Sequence, residues 1–306
     1  MGWTARNIPD QSGRTAVVTG ANSGLGFVTA RELARRGARV VLACRDEERG
    51  RLARDRLVRE LPEAGPRAEL RLLDLGDLAS VSAFAKELPD ERVDLLVNNA
   101  GVMALPYGRT ADGFERQFGV NHLGHFALTG LLLDRLLASS APRVVTVSSA
   151  LHLLGNIDIT DLNSERSYRR WIAYGRSKTA NLLFTHELAG RLADTPLIAA
   201  AAHPGYAATN LQSASPRMEG RRAAERVMRL GNRVVAQSAE VGALPTLYAA
   251  TAPGVGADSF TGPRLASWRG APAPSLRAPW TLNDAAAQRL WAASEELTGV
   301  AYGVPS

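Results

Sequence analysis

From Arg14 onward the chain alternates short apolar runs with longer stretches of helical spacing. Thr15–Thr19 (TAVVT), Arg39–Ala43 (RVVLA), Glu69–Leu73, Val93–Val97, Arg143–Val147 and Leu197–Ala202 have strand length and mostly apolar composition. Between them, Gly24–Arg36, Glu47–Glu60, Leu78–Leu88, Phe114–Ala138 and a long segment over 168–193 carry a helical period. Strands apolar on both faces and separated by helices belong in a parallel sheet covered on both sides. Right-handed crossovers then leave a doubly wound, Rossmann-type α/β fold as the expected architecture.

Beyond Pro204 the pattern changes. Residues 206–237 are polar and arginine-rich, which predicts short helices forming a substrate lobe. Ala239–Ala250 has helical spacing and Phe260 opens a final short strand. Gly262–Pro279, rich in proline, glycine and serine, is expected to be loop, and Leu282–Leu297 a helix capped by Asn283. With no internal repeat and no linker, residues 1–306 are expected to form one domain. The lobe 206–237 and the C-terminal loop and helix 262–298 lie within it.

Composition narrows the function classes. A single cysteine, Cys44, excludes an internal disulfide framework and suggests a reduced, cytoplasmic setting. The first residues lack the apolar core of a secretory leader. The longest apolar stretch, near Leu123–Leu137, is broken by histidine, aspartate and arginine, so no obligatory membrane contact is expected. The net charge of +6 comes from arginines scattered among acids, not gathered into a stripe, and nucleic acid is not an expected partner. Lysine occurs only at Lys86 and Lys178, which gives weight to a lysine at a motif position.

TGANSGLG, Thr19 to Gly26, falls where the first strand passes into a helix. Gly20, Gly24 and Gly26 permit a tight turn and close approach of a pyrophosphate to the helix N-terminus. At the end of the second strand, where a carboxylate would accept bonds from the 2′-hydroxyl of NAD, the sequence is Ala43-Cys44-Arg45. Arg45 is placed to pair with a 2′-phosphate, so NADP(H) is expected over NAD(H).

Further motifs follow in order: NNAG at Asn98–Gly101, Asn121 in GVNHLGHF, Ser149 closing VVTVSS, YGRSK from Tyr174 to Lys178, and HPG at His203–Gly205. Together they resemble the short-chain dehydrogenase/reductase superfamily, and the CR pair and NHLGHF resemble its retinol-dehydrogenase-like and carbonyl reductase branch. The resemblance runs from about Arg14 to Thr209. It implies a catalytic group of Ser149, Tyr174, Lys178 and Asn121. It implies cofactor contacts from Gly20, Asn22, Ser23, Gly24, Leu25 and Gly26 of the turn, and from Arg45, Asp74, Leu75, Asn98, Ala100 and Gly101. Tyr174, Lys178, Pro204, Gly205 and Thr209 complete that set.

The chemistry agrees with the resemblance. Tyr174 and Lys178 are four apart and share a helix face. A free tyrosine holds its proton to about pH 10, and a nearby ammonium favours the phenolate. Ser149 would hold the substrate oxygen, and Ser148 is expected to be structural. The expected activity is hydride transfer between NADP(H) and a hydrophobic carbonyl or alcohol. The rival from another class is a catalytically silent cofactor-sensing or scaffold protein. His122, His125, His152 and His203 share no ligand spacing with a carboxylate or cysteine, and no metal is expected. The interval between Ser149 and Tyr174, 24 residues, is long for the family. It is expected to form part of a substrate mouth or reshape a dimer surface, leaving homodimer and monomer both open.

Overall fold

The computed structural model describes residues 2–205, 238–265 and 268–303. The proposed lobe 206–237 and Thr209 lie outside the described residues. Among the described residues eight strands form one sheet in the order β3-β2-β1-β4-β5-β6-β7-β8. They are β1 (Thr15–Thr19), β2 (Arg39–Cys44), β3 (Ala68–Leu72), β4 (Leu95–Asn98), β5 (Arg143–Val147), β6 (Ile198–Ala202), β7 (Phe260–Leu265) and β8 (Arg269–Pro274). Neighbouring pairs from β3 through β7 are parallel; β8 returns antiparallel to β7.

Strand alternation sends side chains into two cores. On one face Val17, Val41, Leu96 and Val144 pack beneath Phe84, Phe126, Phe184 and Trp291. These large side chains come from α3 (Leu78–Glu87), α5 (Gly124–Leu131), α7 (Arg170–Arg191) and α10 (Asp284–Thr298). On the other face Ala16, Val18, Leu42 and Val97 meet Phe27, Leu33, Leu57 and Leu247. Those residues lie on α1 (Gly24–Arg35), α2 (Glu47–Glu60) and α9 (Leu244–Thr251), which follows the short α8 (Ala239–Gly242). This double covering is why the strands read as continuous apolar runs.

Two elements differ from expectation. Gly262–Pro279 is not all loop: β7 continues to Leu265, and Arg269–Pro274 forms the edge strand β8. Proline lacks the N–H that an inner strand must donate, but Pro272 and Pro274 sit on the sheet edge, where that loss is tolerated. Phe114–Ala138 is not one helix. It is divided into α4 (Arg116–Phe118), a π-helical turn over Gly119–Leu123, α5, and α6 (Leu133–Leu137). The wide turn closes with Gly124 N–H donating to the Gly119 carbonyl, and it carries Asn121.

A charged pin joins α7 to the C-terminal helix. His186 on α7 bonds Asp258 through Nδ1 at 2.7 Å and Asp284 through Nε2 at 2.8 Å. Burial weakens the ring's hold on its proton, but the two carboxylates outweigh burial and the nearby Arg277, and its pKa lies above the usual 6.5. A raised folded-state pKa stabilises the fold fully below the unfolded value, and the benefit fades as pH rises through the folded value. His186→Gln is therefore expected to lower the melting midpoint by about 2 °C below pH 6.5, a small effect because Asp284 is largely exposed. Melting curves across pH should show the gap narrowing at alkaline pH; a constant gap would exclude the charge as its source.

Candidate active site

The strand order reverses between β1 and β4, and in open α/β sheets ligand crevices form at such a switch point. The glycine turn lies there. Gly20 has φ +67°, and a Cβ on Gly26 would lie 2.5 Å from the Gly20 carbonyl oxygen and 2.5 Å from Asn99 Nδ2. The backbone is therefore packed on itself to leave a cradle that any larger side chain would fill. Ser23 precedes α1 in extended conformation without a side-chain capping bond, so its hydroxyl leaves the helix's first amides to an anion. Thr19 closes the turn from behind: its Oγ1 accepts the N–H groups of Asn99 and Ala100, both at 2.9 Å, and Asn99 Nδ2 donates to the Thr19 carbonyl at 2.7 Å. These features fit a dinucleotide pyrophosphate.

Asn98 requires a correction. It is 1 % exposed, and its side chain donates to Thr129 Oγ1 on α5 at 3.0 Å, beneath the helix layer. Its side chain does not line the cofactor cleft. Asn99, which the motif reading passed over, is the asparagine that locks the turn. Leu75 is buried, with its carbonyl pressed close to Gly124. Asp74 Oδ1 accepts the Gly76 N–H at 2.9 Å, while Asp77 caps α3, so Asp74 is not the helix cap.

At the end of β2, Arg45 is exposed and makes no ion pair among the described residues. The nearest carboxylate in sequence, Asp46, is engaged as the N-cap of α2, accepting Arg49 N–H at 2.9 Å. Cys44 lies beneath the turn; burial pushes its thiol up to about 12, only partly opposed by the N–H groups of Ala21 and Asn22, which makes it a poor nucleophile.

Beyond β5 the two serines part. Ser148 is buried and donates to the Lys178 carbonyl at 2.8 Å, a structural role. Ser149 is partly exposed; its Oγ accepts the Leu151 N–H at 3.2 Å, and its hydroxyl acts on the Tyr174 phenol. The Ser149 carbonyl is held at 2.7 Å by Nδ1 of His152, whose Nε2 accepts the Ala278 N–H at 3.1 Å. Tyr174 and Lys178 lie one turn apart on α7, both nearly enclosed. Lys178 Nζ donates to the Val147 carbonyl at 3.0 Å and sits 5.7 Å from the centroid of the Tyr174 ring.

Burial pushes the Tyr174 phenol up to about 12, with the Ser149 hydrogen bond working against it. The expected lowering by Lys178 is not seen in the protein alone: burial outweighs the Ser149 hydrogen bond, and Lys178 is not among the groups that shift the phenol. Burial likewise pulls Lys178 down to about 8. Asn121 Oδ1 accepts the Val102 N–H at 2.8 Å, and its Nδ2 donates to the Val102 carbonyl and to Ser177 Oγ, each at 2.9 Å. It therefore joins the loop after β4 to the helix of Tyr174. Gly205 has φ +67° and donates its N–H to His203 Nδ1 at 3.2 Å, fixing the corner that follows β6.

The long segment after Ser149 is strapped across this end of the sheet. Tyr168 Oη donates to the Leu105 carbonyl at 2.7 Å and accepts from Gln117 Nε2 at 2.8 Å. Ile157, Ile159 and Leu162 turn inward against Phe118, Leu183 and Leu290. His122 packs among Phe118, Phe126 and Phe184 and bonds Ser294 Oγ at 2.8 Å. Among the described residues no helix is long and apolar enough to cross a membrane.

The sequence profile of the family described as short chain dehydrogenase matches residues 14–220, and the chain belongs to that family. Among curated relatives, human retinol dehydrogenase 12 is 41% identical over 303 residues, covering 98% of this chain and 91% of the relative. Mouse retinol dehydrogenase 14 is 52% identical over 209 residues, covering 65% of this chain and 63% of the relative, so the match spans less than two thirds of that protein. The crystal structure of an uncharacterised protein from Mycobacterium paratuberculosis is 48% identical, covers both chains completely and superposes with a TM-score of 0.82.

Proposed function

We propose that this protein is an NADP(H)-dependent oxidoreductase that reduces a hydrophobic carbonyl, or oxidises the matching alcohol, with Tyr174 as general acid or base. The observation that carries the reading is the convergence of the Ser149 hydroxyl, the Tyr174 phenol and the Lys178 ammonium at the switch-point end of the sheet. The bound cofactor would supply or accept the hydride. The chain's own residues manage the oxygen and its proton.

In the reduction direction, Ser149 donates a hydrogen bond to the substrate oxygen and stabilises charge as it develops there. Tyr174 then gives its phenolic proton to that oxygen. The high affinity of the enclosed phenol for its proton keeps Tyr174 in the form this step needs. Lys178 supplies positive charge next to the phenolate left behind. The names of the relatives make a retinal or retinol the first substrate class to test. Carbonyl-dependent NADPH oxidation over a panel containing retinal and simpler aldehydes and ketones tests the reading; no turnover on any member, with NADPH bound, would refute it. A cytoplasmic location belongs to the same proposal.

Cofactor choice is carried by Arg45. A charge-assisted bond from the guanidinium to a 2′-phosphate is worth about 1.5–3 kcal/mol, so Arg45→Ala is expected to weaken NADPH roughly tenfold to hundredfold. NADH affinity should stay nearly constant. Paired titrations of both cofactors check this, and equal losses would assign Arg45 to the general surface.

A further inference from the structure

A buried histidine that the mechanism above does not use stands between the glycine turn and Asn121. His125 on α5 is 1 % exposed. Its Nε2 lies 2.9 Å from Thr19 Oγ1, and its Nδ1 lies 3.1 Å from the main-chain oxygen of Asn121. Donor counting fixes the direction of both bonds. Thr19 Oγ1 already accepts the N–H groups of Asn99 and Ala100, which occupies its two lone pairs. Its own proton must therefore leave the oxygen. The acceptor at 2.9 Å is His125 Nε2, and the alternative, the Val97 carbonyl, is 3.4 Å away. An accepting Nε2 places the ring proton of a neutral imidazole on Nδ1, and Nδ1–H donates to Asn121.

The surroundings keep the ring neutral and single in tautomer. Burial pulls its pKa down to about 3, opposed by the Asn121 bond and reinforced by the charge of Lys178 from α7. The other titratable neighbour, His122 on the preceding π-helical turn, is likewise held neutral by burial. From Asn121 the chain of contacts continues. Asn121 Nδ2 donates to Ser177 Oγ at 2.9 Å, and Ser177 Oγ donates to the Tyr174 carbonyl at 2.7 Å. One unbroken series of hydrogen bonds thus runs from the end of β1 to the helix residue that bears the reacting phenol.

We propose that His125 is a positioning residue: Thr19 fixes its tautomer, and the resulting Nδ1–H holds the Asn121 main chain and thereby sets the placement of Tyr174. The proposal rests on the assignment of Tyr174 as the reacting group. The π-helical turn explains why such a tie is needed. A widened turn lacks the regular i→i−4 ladder, and the ring bond to its central carbonyl restores a fixed position. A purely space-filling His125 would need only its volume, whereas the proposed role needs the donor at Nδ1.

Two amides separate the contacts. In His125→Asn the short side chain can donate to the Asn121 carbonyl but cannot reach Thr19. In His125→Gln the amide can reach Thr19 but no longer serves that carbonyl. With saturating NADPH and an active carbonyl, His125→Asn is expected to keep kcat within about threefold and to preserve its pH profile. His125→Gln is expected to lose about tenfold, the kinetic equivalent of one hydrogen bond, with the pH limb of kcat displaced and the KM for NADPH little changed. His125→Phe should lose at least as much as Gln. A Gln variant equal to or better than Asn, or an unchanged pH profile in all three, would overturn the proposal; if Phe does not fold, the Asn–Gln comparison decides it. Tyr174→Phe, run beside them, tests the underlying assignment separately, because full activity there would refute it whatever the His125 series shows.

Discussion

Tyr174→Phe is expected to lower kcat for carbonyl reduction by about 10²–10⁴, the usual contribution of a positioned proton donor. NADPH binding should remain close to that of the wild type. The substitution removes one oxygen from a ring that is 6 % exposed and leaves the aromatic surface in place, so the helix should not collapse. The interaction it loses with Ser149 can be replaced by water, because that serine is partly exposed. The measurement is kcat with saturating cofactor beside a direct NADPH titration. A fall in both binding and turnover would instead point to damage of the fold.

Gly26→Ala carries the other large effect, on binding. In an ordinary helix the change gains up to about 1 kcal/mol from alanine's better propensity. Here the added methyl would lie 2.5 Å from the Gly20 oxygen and 2.9 Å from its carbonyl carbon, both main-chain atoms. Gly20 is committed to a positive φ and its neighbour Thr19 is bonded to Asn99 and Ala100, so the turn cannot yield cheaply. Overpacking of this kind costs about 1–3 kcal/mol and outweighs the helical gain. The displaced turn should weaken NADPH by about a hundredfold or more, since the phosphate amides move with it. Calorimetric titration checks this, and an affinity within a few fold of the wild type would show that the turn does not hold the pyrophosphate.

The fold was legible where burial leaves a compositional mark. β1, β2, β5 and β6 are apolar on both faces because helices cover both, and the glycine turn is marked by residue type alone. Legibility ended where the outcome depends on facing or on edges. Asn98 and Asn99 are equivalent in a motif, but strand alternation sends Asn98 the way of Leu96, toward α5, and turns Asn99 to the glycine turn. The same alternation separates Ser148 from Ser149, and there the family pattern had already chosen the outward residue. β8 was hidden because its prolines argue against a strand unless it is known to be the edge. The π-helical turn at Asn121 was hidden because a one-residue widening leaves amphipathic spacing almost unchanged. His125 carried no sequence signal for its role, which appears only when Thr19, Asn99 and Ala100 meet around it.

Hydride transfer governed by Tyr174 leaves an isotopic signature. It is tested most directly with NADPH deuterated at the transferring carbon of the nicotinamide, incubated with the wild type and a carbonyl substrate such as retinal. Mass spectrometry should find the wild type forming alcohol with one deuterium on the carbinol carbon, and Tyr174→Phe with the same bound cofactor forming almost no such alcohol. No deuterium transfer from the NADPH-loaded wild type to any carbonyl of the panel, or undiminished transfer in the phenylalanine variant, would contradict the account.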